Sequence, residues 1–508
     1  MTVAQKVFEI LAFVLYFVIV LGVGIYFFMK TKNAGEKEYF IGGRNMGGLV
    51  AALSAGASDM SAWVLMGLPG AICLLGMGQV WISVGLIIGT ICAWIFIAPK
   101  LRRYAIKAGD AITIPEYLSN RFNSKSPVMR VTCAVIFVIA YCIYTASSIS
   151  ACGTLFYTVT GGAIDQTWGM VIAAVIIGVY TLLGGFNAVC WTDFFQGLLM
   201  LGALMHLPII ALFIINGEGF NSIGAVITSE NYYNLLSSGK FDGQSIVDII
   251  SGLGWGLGYF GMPHILIRYM SIKSEKEMRK SQIVGSAWTT SICIMASVVG
   301  LVAHQYFGDV INGGNSEQVF IMLARAIVPG LLSGVLISAI MAASMSTADS
   351  QLLASSSAFA SDIYKTAIKK DASDKKVLLV GRIAVAVILA VALVIALLPG
   401  TGGIMDLVSN AWAIFGSAFG PVILLSLYFR RLNFKGAVSS IITGFAVSVL
   451  WTYVIGKYLL PIGLYEIIPG FIAGLIVAIV VSLLTKEPSK EITDTFDEVK
   501  NIKYSDEK

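Results

Sequence analysis

Four small or hydroxylated residues near position 345 are suited to binding a cation. Residues spaced i, i+3, i+4 and i+7 share one face of a helix. At this spacing lie Ala343, Ser346, Thr347 and Ser350. Hydroxyl groups beside an accessible backbone carbonyl supply the neutral oxygen ligands that a desolvated Na⁺ prefers. The alternative is that these small residues serve only close helix packing.

A carboxylate inside an apolar stretch is a second candidate. Asp59 lies within a long apolar segment, with Ser58 and Ser61 beside it. A carboxylate at membrane depth costs several kcal/mol unless it is paired or hydrated, so it is a functional candidate by default. We expect Asp59 to act on a cation directly or through a neighbouring ligand. The alternative is that it caps a half-helix by accepting freed backbone amides.

Aromatic side chains with polar tips recur at helical spacing in two other segments. One row is Trp255, Tyr259 and Pro263, and the other is Tyr141, Tyr144 and Ser148. Aromatic walls with hydroxyl tips suit a small, partly apolar zwitterion. Core packing is the alternative for each aromatic residue taken singly.

The composition shows which elements must hold these residues. Of the 508 residues, 57% are hydrophobic and 12% charged, with net charge +5 and mean hydropathy +0.83. Soluble domains are about 45–50% apolar and about 25% charged. Sparse charge and seven Cys also exclude the disordered and disulfide-rich classes. The chain is therefore predicted to be an all-α polytopic membrane protein.

A membrane-spanning helix needs about 20 apolar residues. Thirteen such spans are predicted, at 7–29, 46–74, 77–98, 128–158, 166–186, 191–215, 245–267, 282–307, 320–360, 377–398, 402–429, 435–456 and 461–485. Lys and Arg are retained on the cytoplasmic side of short loops. On this count all of the 34 except Lys6, Lys240, Arg325 and Lys457 fall on one side. We expect the N-terminus outside and the C-terminus in the cytoplasm of a cell-membrane protein.

Two of these spans are interrupted by glycine and proline. They are the second span, 46–74, and the seventh, 245–267. Broken helices five spans apart cross the membrane in opposite directions, which is typical of inverted-repeat transporters. Close packing of glycine faces is the alternative. The predicted units are 1–45, the first repeat 46–215, an external loop 216–244, the second repeat 245–429, peripheral spans 430–485 and a solvated cytoplasmic tail 486–508.

Metal and cofactor signals are weak in this sequence. The three His residues are far apart, and the seven Cys lie within apolar spans. We therefore expect no transition-metal site, no cofactor and no enzymatic activity. We expect the lipid bilayer to surround the protein. We expect no nucleic-acid partner and no obligate protein partner.

Five motifs are distinctive in this sequence. They are SAGASDMSAWVLMGLPGA (54–71), AVCWTDFFQ (188–196), GWGLGYFGMPHIL (254–266), MSTADSQLL (345–353) and GLYEIIPGF (463–471). These motifs resemble those of the sodium/proline symporters of the sodium:solute symporter family, and the resemblance covers nearly the whole chain. It implies a leucine-transporter-type fold with a 5+5 inverted repeat and Na⁺-coupled uptake of L-proline.

The resemblance also assigns roles to particular residues. It implies a Na⁺ site built from Ala57, Met60, Ala343, Ser346 and Thr347. It implies that Asp59 is essential for Na⁺-dependent transport and that Arg44, on the cytoplasmic side, affects coupling. It implies that the substrate contacts Ser61, Ala62, Tyr144, Trp255, Tyr259 and Pro263.

Two departures from the family pattern bear on substrate identity. Family members often have Gly at Ala62 and Gln at Met262. A related amino acid, pantothenate or a monocarboxylate therefore stays open as the substrate. A membrane sensor built on a transporter fold is the alternative from another class.

A second polar cluster has three open interpretations. Some family members use an acid equivalent to Asp193, with serines at the positions of Asp349 and Ser350, to hold an additional Na⁺. Here one of those serines is replaced by a carboxylate. The cluster could hold a second cation, one acid could carry a proton, or both acids could be solvated groups in a cytoplasmic vestibule.

Overall fold

The computed structural model describes residues 3–31, 35–218, 231–400 and 402–502. Within these residues the secondary structure is helical, with one isolated bridge between Met46 and Ile272, and the predicted all-α class is confirmed. The principal helices are α1 Val3–Thr31, α2 Glu36–Ile41, α3 Gly48–Asp59, α4 Trp63–Leu75, α5 Met77–Lys107, α6 Ile114–Arg121, α7 Val128–Thr160, α8 Gln166–Leu182, α9 Gly185–Ile214, α10 Gly243–Gly254, α11 Pro263–Ser271, α12 Glu275–Phe307, α13 Val319–Ile327, α14 Gly330–Ile368, α15 Asp374–Leu397, α16 Ile404–Tyr428, α17 Phe434–Leu459, α18 Ile467–Leu484 and α19 Lys490–Asn501.

Ten helices in the described residues are long and apolar enough to cross a membrane, and the bent pair α3–α4 makes eleven. The other two predicted spans correspond to shorter pieces. Span 166–186 falls on α8, and span 245–267 falls on α10 and α11, which a 3₁₀ turn at Trp255–Phe260 separates. Length and hydropathy therefore do not confirm the count of thirteen.

The break in the second span lies between Asp59 and Trp63. Helices α3 and α4 meet there at a bend of 63°. Met60 leaves helical geometry with φ −82° and ψ 76°, and the Ser61 amide donates to the Asp59 carbonyl at 3.0 Å. The break removes backbone groups from the helical hydrogen-bond ladder in the middle of the span. Side chains must then satisfy those groups, because lipid cannot.

The break in the seventh span follows from its proline and glycines. Pro263 is the first residue of α11, where its missing amide costs no helical hydrogen bond. Gly252 and Gly256 pack directly against the backbone of α5, and a Cβ on Gly85 would lie 2.5 Å from the Gly252 carbonyl oxygen. The glycines therefore allow the broken helix to approach α5 more closely than any larger residue would.

The broken span of each half packs against two helices that correspond between the halves. Helix α3 contacts α9 and α12, whereas the 3₁₀ turn contacts α16 and α5, which are the corresponding helices of the other half. Helices α14 and α16 form the centre, with 83% and 89% of their most apolar windows buried. The shares in α1, α15 and α17 are 33%, 28% and 22%, so these helices present apolar side chains outward.

Two predicted boundaries are wrong. The ninth span begins at Gly330 rather than at 320, because Pro329 separates it from the amphipathic helix α13. Part of the tail that was predicted to be solvated folds as α19, which buries Phe496 and Val499. Residues 219–230 of the predicted external loop 216–244, and residues 503–508 of the tail, lie outside the described residues.

Candidate functional site

The backbone at the first break is satisfied by side chains from two other segments. The Asp59 carbonyl accepts the Tyr144 hydroxyl at 3.2 Å and the Trp63 indole N–H at 3.4 Å. Helix α7 supplies Tyr144, and the first turn of α4 supplies Trp63. Aromatic groups with polar tips therefore stabilise the break. One of them, Tyr144, is a predicted member of the substrate wall.

The Asp59 carboxylate faces the second broken span. Its Oδ2 accepts the Tyr259 hydroxyl at 2.5 Å. Its Oδ1 is buried and has no hydrogen-bond partner in the described part of the chain. Because Oδ2 bonds to Tyr259 and Oδ1 has no partner there, the side chain accepts no backbone amide at the start of α4, and the capping interpretation of Asp59 is wrong. A half-paired buried carboxylate leaves negative charge available to a cation or to an ammonium group.

Carbonyl and hydroxyl oxygens from the two repeats meet at Ala57, two residues before Asp59 on α3. The Ser346 hydroxyl donates to the Ala57 carbonyl at 2.8 Å and lies 3.1 Å from the Ala343 carbonyl. The neighbouring Thr347 Oγ1 is fully buried, and it too has no partner among the described residues. Met60, the fifth predicted ligand, is fully buried at the break. Carbonyl and hydroxyl oxygens of this kind match the ligand chemistry of Na⁺.

An aromatic wall continues from the break toward the other end of the molecule. The Trp255 ring lies 5.8 Å from Trp63 and stacks on Tyr465 at 5.1 Å. The Tyr259 ring packs edge-on against Trp412 at 5.3 Å, and the Trp412 indole donates to the Trp255 carbonyl at 2.8 Å. Three members of this wall were not predicted: Trp63, Trp412 and Tyr465. Two of them, Trp63 and Tyr465, lie within motifs that carry the family resemblance.

The other predicted substrate residues occupy the two breaks. Ser61 and Ala62 are fully buried between α3 and α4, and Pro263 is buried at the start of α11. Direct hydrogen bonds join Asp59 to Tyr144 and Tyr259. No described hydrogen bond joins Pro263 or Ala62 to that group.

The second polar cluster is organised by Arg268, which lies just beyond the predicted end of the seventh span at 267 and is therefore predicted to belong to a cytoplasmic loop. Arg268 lies in α11 and is 2% exposed. Its guanidinium donates to Ser54 at 2.8 Å, to Asp193 at 3.0 Å and to Ser350 at 2.5 Å. The expectation that Arg268 belongs to the cytoplasmic loop charges is wrong, because α11 continues past it to Ser271.

The acids in this cluster are buried. Asp193 and Asp349 have no exposed surface, so the interpretation of both as solvated vestibule groups is wrong. Ser350 lies 3.4 Å from Asp193 and 3.3 Å from Asp349. Asp193 Oδ1 and Asp349 Oδ2 have no partner in the described ranges. The Arg268 guanidinium thus pairs directly with Asp193 and is linked to Asp349 through the Ser350 hydroxyl.

Arg44 ties three segments together at the other end of the broken helices. It donates to Asp110 at 2.7 Å, to the Met270 carbonyl at 2.5 Å and to the Ala111 carbonyl at 2.5 Å. Partial burial alone would raise the pKa of Asp110, but hydrogen bonds from Lys37 and Arg44 outweigh it and hold that pKa below its usual value. The end of α11 is therefore fixed to the loop that follows α5.

A backbone bridge fixes the same end of α11 to the start of the other broken span. The Met46 amide donates to the Ser271 carbonyl at 3.1 Å, and the Lys273 amide donates to the Met46 carbonyl at 3.0 Å. These bonds join the segments that begin α3 and follow α11. The half-helices α3 and α11 are therefore held against each other at this end.

Two solved structures share this fold. The chain superimposes on a Na⁺-coupled sialic acid symporter with a TM-score of 0.78 at 21% identity, covering 95% of this chain and 99% of that one. It superimposes on MhsT in complex with L-phenylalanine with a TM-score of 0.52 at 16% identity, covering 86% and 97%. The fold is that of the inverted-repeat transporters.

Sequence comparison identifies the family. The model of the Sodium:solute symporter family matches residues 39–444. The osmoregulated proline transporter OpuE of Bacillus subtilis is 41% identical over 482 residues, which cover 94% of each chain. The high-affinity proline transporter PutP of Bacillus subtilis is 40% identical over 94% of this chain and 98% of its own. The sodium/proline symporter of Staphylococcus aureus is 40% identical over 96% and 94%. The chain belongs to the sodium:solute symporter family.

Proposed function

We propose that this protein carries L-proline into the cell together with Na⁺ by alternating access. The observation that carries the proposal is the meeting of Ala57, Ala343 and Ser346 oxygens at α3, where Asp59, two residues beyond Ala57, bonds to Tyr259. The oxygens proposed to bind the cation and the Asp59–Tyr259 bond are thus connected through helix α3. Relatives at 40% identity that are named proline transporters support proline as the substrate.

Coupling follows from the position of Ala57 and Asp59 on the same helix. A Na⁺ bound by Ala57, Met60, Ala343, Ser346 and Thr347 would bridge α3 to α14. This bridge fixes the end of α3, and with it Asp59 and its bond to Tyr259. The substrate wall is then ordered before proline binds, which makes proline binding stronger when Na⁺ is present.

The Na⁺ gradient supplies enough free energy for this task. One Na⁺ crossing about 100 mV down a tenfold gradient releases about 3.7 kcal/mol, which supports about 500-fold accumulation of a neutral zwitterion. No second energy source is required.

We further propose the topology and the units of the chain. The N-terminus lies outside and the C-terminus in the cytoplasm, with repeats at 46–215 and 245–429 around the site and peripheral spans at 430–485. The Arg44 contacts and the Met46–Ile272 bridge then lie on the cytoplasmic side. Opening toward the cytoplasm would require these bonds to break, which is how Arg44 would affect coupling.

The Asp193–Asp349–Ser350 cluster receives a different assignment. We propose that the Arg268 guanidinium takes the place of a second bound cation there. It neutralises one of the two buried carboxylates and hydrogen-bonds to Ser350. Transport would then use one Na⁺ for each proline.

The proposed Na⁺ site predicts a separable effect on ion affinity. Ser346→Ala and Thr347→Ala each remove one oxygen ligand and leave the aromatic wall intact. We expect each change to raise the Na⁺ concentration for half-maximal uptake by about tenfold, with little change in maximal rate. The measurement is the initial rate of labelled proline uptake against Na⁺ concentration in proteoliposomes.

Ser344→Ala is the matched control for this experiment. Ser344 lies on the same helix and is equally buried, but its hydroxyl bonds within the helix to the Ile340 carbonyl at 2.9 Å. We expect its Na⁺ dependence to remain that of the wild type. If neither Ser346→Ala nor Thr347→Ala changes the Na⁺ dependence, this face of α14 serves packing alone.

Competition between solutes tests the substrate. Excess unlabelled proline should abolish uptake of labelled proline, whereas pantothenate, monocarboxylates and unrelated amino acids should not. Ala62→Gly and Met262→Gln restore the residues common in the family and are expected to retain proline uptake. If one of the other solutes competed more strongly than proline, that solute would be the substrate. The proposal of Na⁺ coupling would then still stand.

A further inference from the structure

A cavity of about 340 Å³ lies beside the tail helix, away from the transport site. The ends of α5 and α6 form one side, with Tyr104, Lys107 and Arg121. Helix α19 forms the other side, with Glu491 and Thr495. Nothing in the proposed transport cycle uses this cavity.

The wall of this cavity contains a buried arginine with free hydrogen-bond donors. Arg121 is 1% exposed, and its Nε donates to the Ser426 carbonyl at 3.1 Å. Both Nη atoms are buried without a partner among the described residues. The rings of Tyr104, Phe122 and Phe496 lie 5.0, 5.3 and 5.2 Å from the guanidinium carbon and fix its position. A buried charge is costly unless it is paired, so these donors call for an anion.

The other groups around the cavity favour an anion as well. The Tyr104 hydroxyl is a second buried group without a partner in the described structure. Lys107 adds a positive charge, partly offset by its ion pair with Glu498 at 2.9 Å. Glu491 is the one carboxylate among the described lining residues, and its Oε2 is held by the Asn123 amide at 2.8 Å.

We propose that this cavity binds a phosphate group through the Arg121 guanidinium and the Tyr104 hydroxyl. A guanidinium presents two parallel N–H donors that match two oxygens of one phosphate. The group could be supplied by free phosphate or by an anionic lipid headgroup, because both offer the same oxygens. Phe496 of α19 covers the arginine, so a bound phosphate would hold the tail helix against α5 and α6.

Thermal denaturation of the purified full-length protein in detergent tests the proposal. Sodium phosphate is compared with sodium chloride at equal Na⁺ concentration and equal ionic strength. We expect phosphate to raise the midpoint of unfolding in a saturable manner, because a ligand of the native state stabilises it. Arg121→Gln is expected to weaken this response by about tenfold or more.

Two further variants and one lipid comparison make the outcomes decisive. Arg430→Gln removes an exposed ion pair with Asp497 of the tail helix α19. Neither residue lines the cavity, so this variant should keep the wild-type response. Glu491→Gln removes the carboxylate from the lining and should lower the phosphate concentration needed, which tests the site even if Arg121→Gln fails to fold. Stabilisation seen only in phosphatidylcholine vesicles that also contain phosphatidylglycerol, and lost in Arg121→Gln, would assign the site to a lipid headgroup. No response to phosphate or to phosphatidylglycerol, or a response unchanged by both Arg121→Gln and Glu491→Gln, would overturn the proposal.

Discussion

Replacing Asp59 with Asn is expected to lower Na⁺-driven proline uptake by at least about 100-fold, which corresponds to a loss of about 2.7 kcal/mol. The side chain is 1% exposed, and one carboxylate oxygen has no partner in the described residues. In the proposed mechanism its negative charge would offset the cation in a site of low dielectric constant, where an amide of the same shape would not. The measurement is the initial rate of labelled proline uptake into proteoliposomes under an imposed Na⁺ gradient.

Tyr259→Phe is the matched control for Asp59→Asn. It removes the 2.5 Å bond to Asp59 but keeps the ring that packs against Trp412. We expect it to weaken proline binding several-fold and to leave most of the maximal rate. If Asp59→Asn transported within a few-fold of the wild-type rate, Asp59 would have no role in coupling.

Replacing Arg268 with Gln is expected to destabilise the protein strongly and to abolish uptake. The substitution leaves Asp193 and Asp349 buried with no positive charge against them, and removing one partner of a buried pair typically costs about 3–5 kcal/mol. The double variant Arg268→Gln/Asp193→Asn removes one charge of each sign. We expect it to recover most of the folded yield, measured by size-exclusion chromatography and thermal denaturation.

Lys280→Gln controls for the loss of a cation near the same end of the molecule. Lys280 is 54% exposed and pairs with Glu277 one turn away, an arrangement that contributes little to stability. Its yield and uptake should equal those of the wild type. A stable, active Arg268→Gln variant would mean that Arg268 does not stand in for a second cation.

The breaks in the second and seventh spans were predictable from sequence because glycine and proline act locally. Pro263 determines where α11 begins, whatever surrounds it. The spacing of Ser346 and Thr347 likewise places both hydroxyls on one helical face. The contact of Ser346 with Ala57 depends on tertiary packing, and only the family resemblance indicated it.

Other features could not be predicted because they depend on partners far along the chain. Arg268 is followed by four more cationic residues, so loop counting assigned it to the same side as Lys273 and Lys280. Its burial follows from Asp193, which α9 contributes from a distant part of the sequence. The tail helix α19 has a charged composition typical of solvated segments, but Phe496 and Val499 give it an apolar side that packs on α5.

Accumulation of labelled L-proline in proteoliposomes under an inward Na⁺ gradient tests the central claim most directly. The account predicts concentration of proline inside the vesicles well above the outside level, with collapse of that gradient when a Na⁺ ionophore is added. Equal uptake when K⁺ replaces Na⁺ on both sides would contradict Na⁺-coupled proline transport by this protein.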